Sequence, residues 1–277
     1  MSGTTFEHDD EIVAQGVDTL VVAGWTGRDA AGVEHHIREL EALGVAPPSS
    51  VPLFYRVSAG LLGAHSIIEV VGEETSGEVE PMLVRHAGRL WLGLASDHTD
   101  RALETHSVAL SKQVCAKPCA ATLWSLDGLA DAYPDAPKEG TGTDANSSGK
   151  RTSTPTERPT GELVSRLDAL ELRAWIADDL ASDDWTLYQE GSLAAIRPLA
   201  ALLATSPLAD PPTDSPTDPR AGSPSATGGA VSAMLCGTLP AIGGVRPASA
   251  FRFELLDPAN GRSLRHGYAV RCLPEIR

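Results

Sequence analysis

The amino-acid sequence predicts a β-rich α+β fold with few helices, forming a single domain over residues 1–277. Short apolar runs bounded by glycine and proline outnumber the stretches that have helical spacing. Hydrophobic residues form 42% of the chain, which is enough for one large core. Because aromatic residues form only 5%, aliphatic side chains and alanine must fill most of that core.

The first predicted elements along the chain are a strand, a helix and a second strand. DTLVVAGW, at 18–25, is an apolar run rich in β-branched residues, which is typical of a buried strand. Apolar residues then recur every three or four positions over 29–44, and Gly44 stands where the helix would end. The run SIIEVVG at 66–72 predicts the next strand.

The later part of the chain also predicts mainly strands. Residues 170–191 have the pattern of two strands joined by an acidic turn. A short helix is predicted over 192–204, although Pro198 lies inside it. From Ser232 onward strands alternate with turns, and DPANG at 257–261 is a strong turn signal.

Two polar segments interrupt this pattern. Residues 137–162 contain no large apolar side chain, and residues 205–230 contain a single leucine among many prolines, serines, threonines and aspartates. Burial of so little apolar surface does not offset the entropy lost on ordering a chain. We therefore expect two flexible insertions within the domain.

Charge and composition exclude several classes of protein. The formal net charge of −15 argues against a nucleic-acid or anionic-membrane partner, because phosphate groups bind to basic surfaces. The N-terminus lacks the basic and apolar regions of a signal peptide, and no run of about 18 apolar residues would cross a bilayer. The expected location is the cytoplasm. Four scattered cysteines are interpreted as ordinary thiols.

A predicted hairpin carries a group of acidic residues. Its strands are EVEPMLVR at 78–85 and RLWLGLAS at 89–96. Side chains two residues apart on a strand share a face, about 6–7 Å apart at their Cα atoms, which brings Glu78 and Glu80 together. Asp97 can approach them from the second strand. The pair is either a solvated hairpin face or part of a site for a hard divalent cation, which prefers oxygen ligands.

Further motifs follow the acidic pair in order. SDHTDR contains Asp97 and Arg101, and the later motifs are Lys112 in SKQVCAKP, Gln189 in LYQEG, CGTLPAIGG at 236–244 and the closing RFELLDPANGRSLRHGYAV. In this order the motifs resemble the fumarylacetoacetate hydrolase superfamily, and more closely a related bacterial family with no assigned function. In that superfamily a Glu-x-Glu strand is followed by an Asp-x-Ser-Ala-Arg segment. The resemblance covers the chain except the two insertions.

The resemblance implies a fold and a metal site. The fold is a mixed β-sheet core of the β-roll type, and the assembly is a homodimer. The metal is Mg²⁺ or Mn²⁺, held by Glu78, Glu80 and Asp97. Asp100 replaces the usual alanine and adds a charge near this site, and whether it shares in the site is left open.

The resemblance also implies a water-activating His-x-x-Glu pair on a helix near the N-terminus. HHIRE supplies His36 and Glu39, which share a helix face, so that the carboxylate can orient the imidazole of a general base. His35 is the alternative base, and the bland alternative is a surface helix with ordinary charges. Trp25 and Thr26 stand where relatives have Asn-Tyr.

Four other residues are candidates for contact with the substrate. The resemblance implies that Arg56, Arg101 and Thr238 bind it, since positions like these in the superfamily hold the substrate carboxylate or the developing oxyanion. An arginine fork suits a carboxylate. Lys112 is the candidate catalytic residue, with a pKa lowered by a neighbouring metal. Arg56 stands where relatives often have Lys-Pro, which indicates a changed substrate headgroup. The alternative is that Arg101 and Lys112 form surface ion pairs of little consequence.

Together these features predict a divalent-metal-dependent enzyme whose partner is a small oxo-acid substrate. The leading reaction is hydrolytic C–C cleavage of an acylpyruvate or 1,3-dicarbonyl through a metal-bound enolate. Decarboxylation or isomerisation at the same site is the first alternative, since related folds carry out all three reactions. A non-catalytic ligand-binding relative is the second, and a β-rich domain whose motifs match by chance is the third.

Overall fold

The computed structural model describes residues 4–42, 47–126, 160–208, 230–274 and 276, with the backbone alone for residues 36, 39, 40 and 160–162. Strands predominate over helices in these ranges. The strands are β1 (Thr5–His8), β2 (Glu11–Gln15), β3 (Thr19–Gly24), β4 (Leu53–Val57), β5 (Leu62–Gly63), β6 (Ile67–Val71), β7 (Thr75–Ser76), β8 (Val79–His86), β9 (Arg89–Ser96), β10 (Thr99–Asp100), β11 (Lys117–Pro118), β12 (Trp124–Ser125), β13 (Glu171–Ala177), β14 (Thr186–Ser192), β15 (Ser232–Leu235), β16 (Ala250–Asp257) and β17 (Arg262–Leu273). The α-helices are α1 (Ala30–Ala42), α2 (Arg101–Glu104), α3 (Val108–Gln113), α4 (Thr160–Asp168) and α5 (Leu199–Thr205).

The central sheet has six strands in the order β12-β9-β8-β15-β3-β4. Strand β15 lies between β8 and β3, antiparallel to the first and parallel to the second. The remaining pairs are antiparallel, and the β8–β9 pair is the predicted hairpin. Strands that are distant in the sequence are therefore neighbours in this sheet, and it contains both kinds of pairing.

A second sheet has five strands in the order β14-β13-β16-β17-β6. Strands β17 and β6 are parallel, and the other neighbours are antiparallel. The β13–β14 pair and the β16–β17 hairpin confirm the strands predicted over 170–191 and near the C-terminus. The turn between β16 and β17 is the predicted DPANG turn, in which Asp257 pairs with Arg262.

The core lies on both faces of the central sheet. Val21 of β3 belongs to a buried cluster with Leu172 and Phe251 of the second sheet. Val22 points to the opposite face, because successive strand side chains alternate, and it packs in a cluster with Phe6. Burial on both faces explains why β3, β8 and β9 are continuous apolar runs rather than alternating ones. The observed architecture is the predicted β-rich α+β class.

The helices agree with the sequence pattern except at Pro198. Helix α1 confirms the helix predicted over 29–44, of which residues 43–46 lie outside the described chain. The single helix expected over 192–204 is wrong: a 3-10 turn at Leu193–Ala195 precedes α5, which starts directly after Pro198. Proline lacks an amide donor, so it is tolerated at a helix start, where its carbonyl oxygen accepts from the amide of Ala201.

The two predicted insertions lie mostly outside the described residues, so their flexibility stays a prediction. Residues 160–162 form the first turn of α4. Thr205 ends α5, and residues 206–208 follow it with Leu208 buried. The packed chain therefore extends slightly into both predicted segments. Within the described ranges, none of the helices combines the length and the apolar character needed to span a membrane.

Candidate active site

The β8–β9 hairpin brings three predicted acidic residues to one end of the central sheet. Val79, the first residue of β8, pairs with Ser96, the last residue of β9. Glu78 and Asp97 are the next residues on either side, and the amide of Asp97 donates to the carbonyl oxygen of Glu78 at 2.9 Å. Asp97 and Glu80 are buried, whereas Glu78 is partly exposed.

Two lysines lie against the carboxylate of Asp97. Lys112, on α3, contacts Oδ2 through its Nζ atom. Lys117, on β11, places its Nζ atom 3.0 Å from Oδ1 and donates a 2.5 Å hydrogen bond to the carbonyl oxygen of His98. The side chains of Asp97 and Lys117 are both 0% exposed. Each oxygen of this buried carboxylate therefore faces an ammonium group.

These charges shift the pKa values of one another. Burial alone would raise the pKa of Asp97, but Lys112 and Lys117 outweigh it and hold the pKa below its ordinary value. Burial also disfavours the charged form of Lys112, yet Asp97 raises the pKa of this lysine. That direction is opposite to the lowering expected beside a metal. Burial lowers the pKa of Lys117, and Asp97 offsets only part of this effect.

Glu80 is held by the loop that follows β15. Its Oε2 atom accepts a 2.7 Å hydrogen bond from the amide of Gly237. Gly237 has a φ of +96°, and a Cβ atom added there would lie 1.6 Å from Oγ1 of Thr26, so the loop requires glycine. Burial, followed by repulsion from Asp97, raises the pKa of Glu80 well above its ordinary value.

Gln189, on β14, connects the same loop to the start of β8. Its buried Oε1 atom accepts from the amide of Val79 at 2.9 Å, and its Nε2 atom donates to the carbonyl oxygen of Leu239 at 2.6 Å. Nε2 also donates to the hydroxyl of Thr238 at 2.8 Å. That hydroxyl donates to the carbonyl oxygen of Val79 at 2.8 Å, so Thr238 holds the loop against the acidic strand.

Arg101 lies on the partly exposed side of the acidic group. Its Nη2 atom is 3.2 Å from the carboxylate of Glu78, and its Nη1 atom donates to Glu104 at 3.0 Å. The Nε atom donates to the hydroxyl of Ser76 at 2.7 Å. Burial opposes the charge, but Glu78 and Glu104 raise the pKa of Arg101. The ion pair with Glu78 is thus mostly buried, unlike the surface pair considered as an alternative.

Two residues of SDHTDR differ from the Asp-x-Ser-Ala-Arg segment of the superfamily. They are Thr99, in place of serine, and Asp100, in place of alanine, and both have local structural roles. The hydroxyl of Thr99 donates to the carbonyl oxygen of Asp97 at 3.1 Å. Asp100 is the N-cap of α2, where its Oδ1 atom accepts from the amide of Leu103 at 2.9 Å. A capping carboxylate satisfies helix amides that have no partner within the helix. This cap accounts for the extra acid in the motif.

A buried hydrogen-bonded group beside Asp97 was not among the predicted site residues. One ring nitrogen of His98 lies 2.9 Å from the hydroxyl of Tyr268, and the other lies 2.9 Å from that of Thr75. The Tyr268 hydroxyl also lies 3.0 Å from that of Ser96. Burial, with the positive charges nearby, lowers the pKa of His98 to about 3, which keeps the ring neutral. His98 is part of SDHTDR, but its tyrosine partner is 170 residues away.

Three predicted site residues have no described contact with the acidic residues Glu78, Glu80 and Asp97. His36 and Glu39 lie on α1, and their side chains are outside the described part of the chain. Arg56 is exposed on β4. Its neighbour Tyr55 places its ring 5.9 Å from Nζ of Lys112, and adjacent strand side chains point to opposite faces. Arg56 therefore points away from Lys112.

The donor chemistry of the acidic group suits Mg²⁺ or Mn²⁺, but the arrangement does not. Glu78, Glu80 and Asp97 supply the oxygen atoms that these ions prefer. Within the part of the chain that the structure describes, no group of three or more His, Cys, Asp and Glu side chains is placed to hold a metal ion. Asp97 faces two ammonium groups and Glu78 faces Arg101. No catalytic step is therefore derived through a metal.

The fold and the site define a β-rich α+β protein with a buried cluster of paired charges at one end of its central sheet. The sequence profile of the family described as "Protein of unknown function (DUF2848)" matches residues 23–136 and 158–268. The chain belongs to this family. The unmatched stretch between these segments, residues 137–157, lies within the first predicted insertion, at 137–162.

A solved structure of 2-keto-3-deoxyarabinonate dehydratase has a similar fold. The match has a TM-score of 0.51 and 11% sequence identity, and it covers 97% of this chain and 79% of the other. At this identity the likeness shows a shared fold alone, and it agrees with the predicted β-rich α+β class. A comparison with curated proteins finds no match.

Proposed function

We propose that this protein is an enzyme that acts on a small oxo-acid at the charge cluster, defined as Glu78, Glu80, Asp97, Arg101, Lys112 and Lys117. The observation that carries the proposal is the burial of Asp97 between two lysines, one of which has no exposed side-chain surface. Apolar side chains of similar size would often stabilise a fold as well as buried ion pairs do. Clusters of buried, mutually shifted ionisable groups occur preferentially at functional sites.

The leading reaction is hydrolytic cleavage of a C–C bond in an acylpyruvate or another 1,3-dicarbonyl. Water adds to the distal carbonyl carbon, and the adjacent C–C bond breaks. The electron pair of that bond becomes the enolate of the smaller oxo-acid, which a proton then converts to the ketone. The reaction consumes one water and releases a carboxylic acid and an oxo-acid. The site must bind a carboxylate, stabilise an enolate and activate water.

In this proposal, cationic side chains bind the anionic substrate. Arg101, with a side chain 17% exposed, binds the substrate carboxylate, which takes the place of Glu78 or Glu104 at its guanidinium group. Lys112 lies deeper, and its ammonium group stabilises the negative charge that develops on the enolate oxygen. Thr238 positions the loop that holds Glu80. His36, with Glu39, is the proposed general base for water.

The proposal includes three further features of the protein, each of which is to be measured. They are a dependence on Mg²⁺ or Mn²⁺, a homodimeric state, and decarboxylation or isomerisation in place of hydrolysis. The similar solved structure is named as a dehydratase of a 2-keto acid, so loss of water is added to the products to be examined. A non-catalytic ligand-binding protein is the alternative from another class.

The test is an assay of purified, EDTA-treated protein with acetylpyruvate, oxaloacetate and a 3-deoxy-2-keto acid, with and without added Mg²⁺ or Mn²⁺. Proton NMR distinguishes hydrolysis, decarboxylation, isomerisation and dehydration by their products. We expect Lys112→Met to lower kcat/KM by about 100-fold or more, since one lost charge-stabilising group has an effect of this size. Arg38→Gln, on the exposed face of α1, is the control.

Two outcomes would contradict the proposal. One is the absence of turnover with every oxo-acid in the panel, which favours the ligand-binding alternative if calorimetry still detects binding. The other is wild-type kinetics in a folded Lys112→Met variant, because the cluster would then have no part in the reaction. Circular dichroism of each variant verifies that it is folded.

A further inference from the structure

Lys117 differs from the other cations of the charge cluster because its side chain has no exposed surface and its ammonium group is held at two contacts. Its side chain is fully buried, and its Nζ atom is held both by Oδ1 of Asp97 at 3.0 Å and by the carbonyl oxygen of His98 at 2.5 Å. Strand β11, which carries it, pairs in parallel with β5, where Lys117 is opposite Leu62. Both the backbone of Lys117 and its ammonium group are therefore fixed, which keeps this group beside Asp97.

The other two cations are less confined. The side chain of Lys112 is 8% exposed and that of Arg101 is 17% exposed, so both have some contact with solvent, unlike that of Lys117. Lys112 contacts Oδ2 of Asp97, and Lys117 lies against Oδ1. Removal of the charge of Lys117 would leave Oδ1 of Asp97 without a cation beside it, and a divalent cation could then occupy that position.

We infer that Lys117 acts as a built-in counter-cation for Asp97, and that it weakens the binding of a divalent metal ion at Glu78, Glu80 and Asp97. The ammonium group lies 3.0 Å from Oδ1 of Asp97, one of the two carboxylate oxygens that this residue could offer to a metal. A metal at this position must either displace a buried, fixed lysine or tolerate a like charge next to it. This accounts for acidic residues of suitable chemistry that are not arranged as a metal site.

The experiment measures the binding of Mn²⁺ alone to EDTA-treated, full-length protein, by calorimetry and by the electron paramagnetic resonance signal of free Mn²⁺. The variants are Lys117→Gln, which removes the charge but keeps a donor for His98, and Lys117→Met, which removes both. Lys117→Arg keeps the charge and is the matched control. We expect both neutral variants to bind Mn²⁺ at least about tenfold more tightly than the wild type, because a like charge at close range is removed.

A double variant tests whether any gain in Mn²⁺ affinity arises at the charge cluster. Adding Asp97→Asn to Lys117→Gln should return the affinity for Mn²⁺ to that of the wild type or below. Equal affinity in folded wild-type and Lys117→Gln proteins would overturn the inference, as would a gain that survives Asp97→Asn. If the neutral variants do not fold, the wild type decides. Micromolar Mn²⁺ binding that is lost in a folded Glu78→Gln variant contradicts the inference, and the absence of binding up to about 1 mM supports it. These outcomes do not depend on oxo-acid turnover, so they leave the proposed function to its own test.

Discussion

The amide of Asp97 donates a 2.9 Å hydrogen bond to the carbonyl oxygen of Glu78, and this bond continues the ladder of the β8–β9 hairpin by one step. The two acids are therefore placed by the backbone rather than by their charges. Changes to either carboxylate should leave this backbone hydrogen bond in place and act on the protein through the charge cluster.

Asp97→Asn is predicted to destabilise the fold strongly. It removes the charge that compensates Lys112 and Lys117, and loss of one partner from a buried ion pair typically costs about 3–5 kcal/mol. Urea unfolding followed by circular dichroism measures the free energy. Glu69→Gln is the control, since it breaks an exposed pair with Arg271 and should change stability by less than about 1 kcal/mol. Equal effects of the two changes would show that the cluster contributes no more than a surface pair.

Gly237→Ala is predicted to disrupt the loop that holds Glu80. Both a positive φ of +96° and an overlap of the new Cβ atom with Thr26 at 1.6 Å oppose it. The combined loss of stability should be about 2–5 kcal/mol. Gly244→Ala separates the two effects, because Gly244 has a φ of +86° but no atom within 4 Å of the added Cβ atom. Thermal and urea unfolding that give the same loss for both variants would contradict the steric explanation.

Gln189→Leu is predicted to weaken both stability and activity. It leaves the amide of Val79 and the carbonyl oxygen of Leu239 without their buried partner, which costs about 2–4 kcal/mol in total. If the proposed oxo-acid turnover is detected, release of the loop should also lower its kcat/KM. Gln113→Leu is the comparison, since Gln113 accepts one hydrogen bond, from the amide of Ser58, in a less buried place. A larger effect at Gln113 would exclude the positioning role of Gln189.

The stability supplied by Asp257 is predicted to disappear in acid. Burial would raise the pKa of Asp257, but hydrogen bonds from Asn260 and Arg262 outweigh it and lower the pKa in the folded protein. A group with a lowered folded pKa stabilises the fold above its unfolded pKa of about 4 and loses that contribution as the pH falls. Asp257→Asn should therefore reduce the unfolding free energy at pH 7 more than at pH 3. A difference that does not depend on pH would refute this assignment.

The strands and the acidic hairpin could be predicted because their signals are local. Apolar runs mark β3, β8 and β9, and the spacing of Glu78 and Glu80 is readable on a single strand. The β1–β2 pair and β4 were missed, since they are short and only partly apolar. The helical spacing over 192–204 predicted one helix across Pro198. Because proline lacks an amide donor and is tolerated only near a helix start, α5 begins after it instead.

The rest of the site could not be predicted because it depends on partners distant in the sequence. Lysine is normally a solvent-exposed residue, so the sequence around Lys117 did not indicate that this side chain is fully buried. The contact of His98 with Tyr268 exists only once β17 has packed beside β9. Motif order was enough to bring Glu78, Glu80 and Asp97 together, but not to indicate which positive charges face them.

The position of β15 has a consequence for how this protein is made. Strand β15 is inserted between β8 and β3, yet residues 232–235 leave the ribosome long after both of its neighbours. Until then β3 and β8 each present an unpaired edge, which is the feature of partly folded chains that most readily joins other chains. The amide of Gly237 that holds Glu80 follows directly. Completion of the central sheet and completion of the acidic site are thus the same late event of synthesis, and a chain truncated before residue 232 has neither.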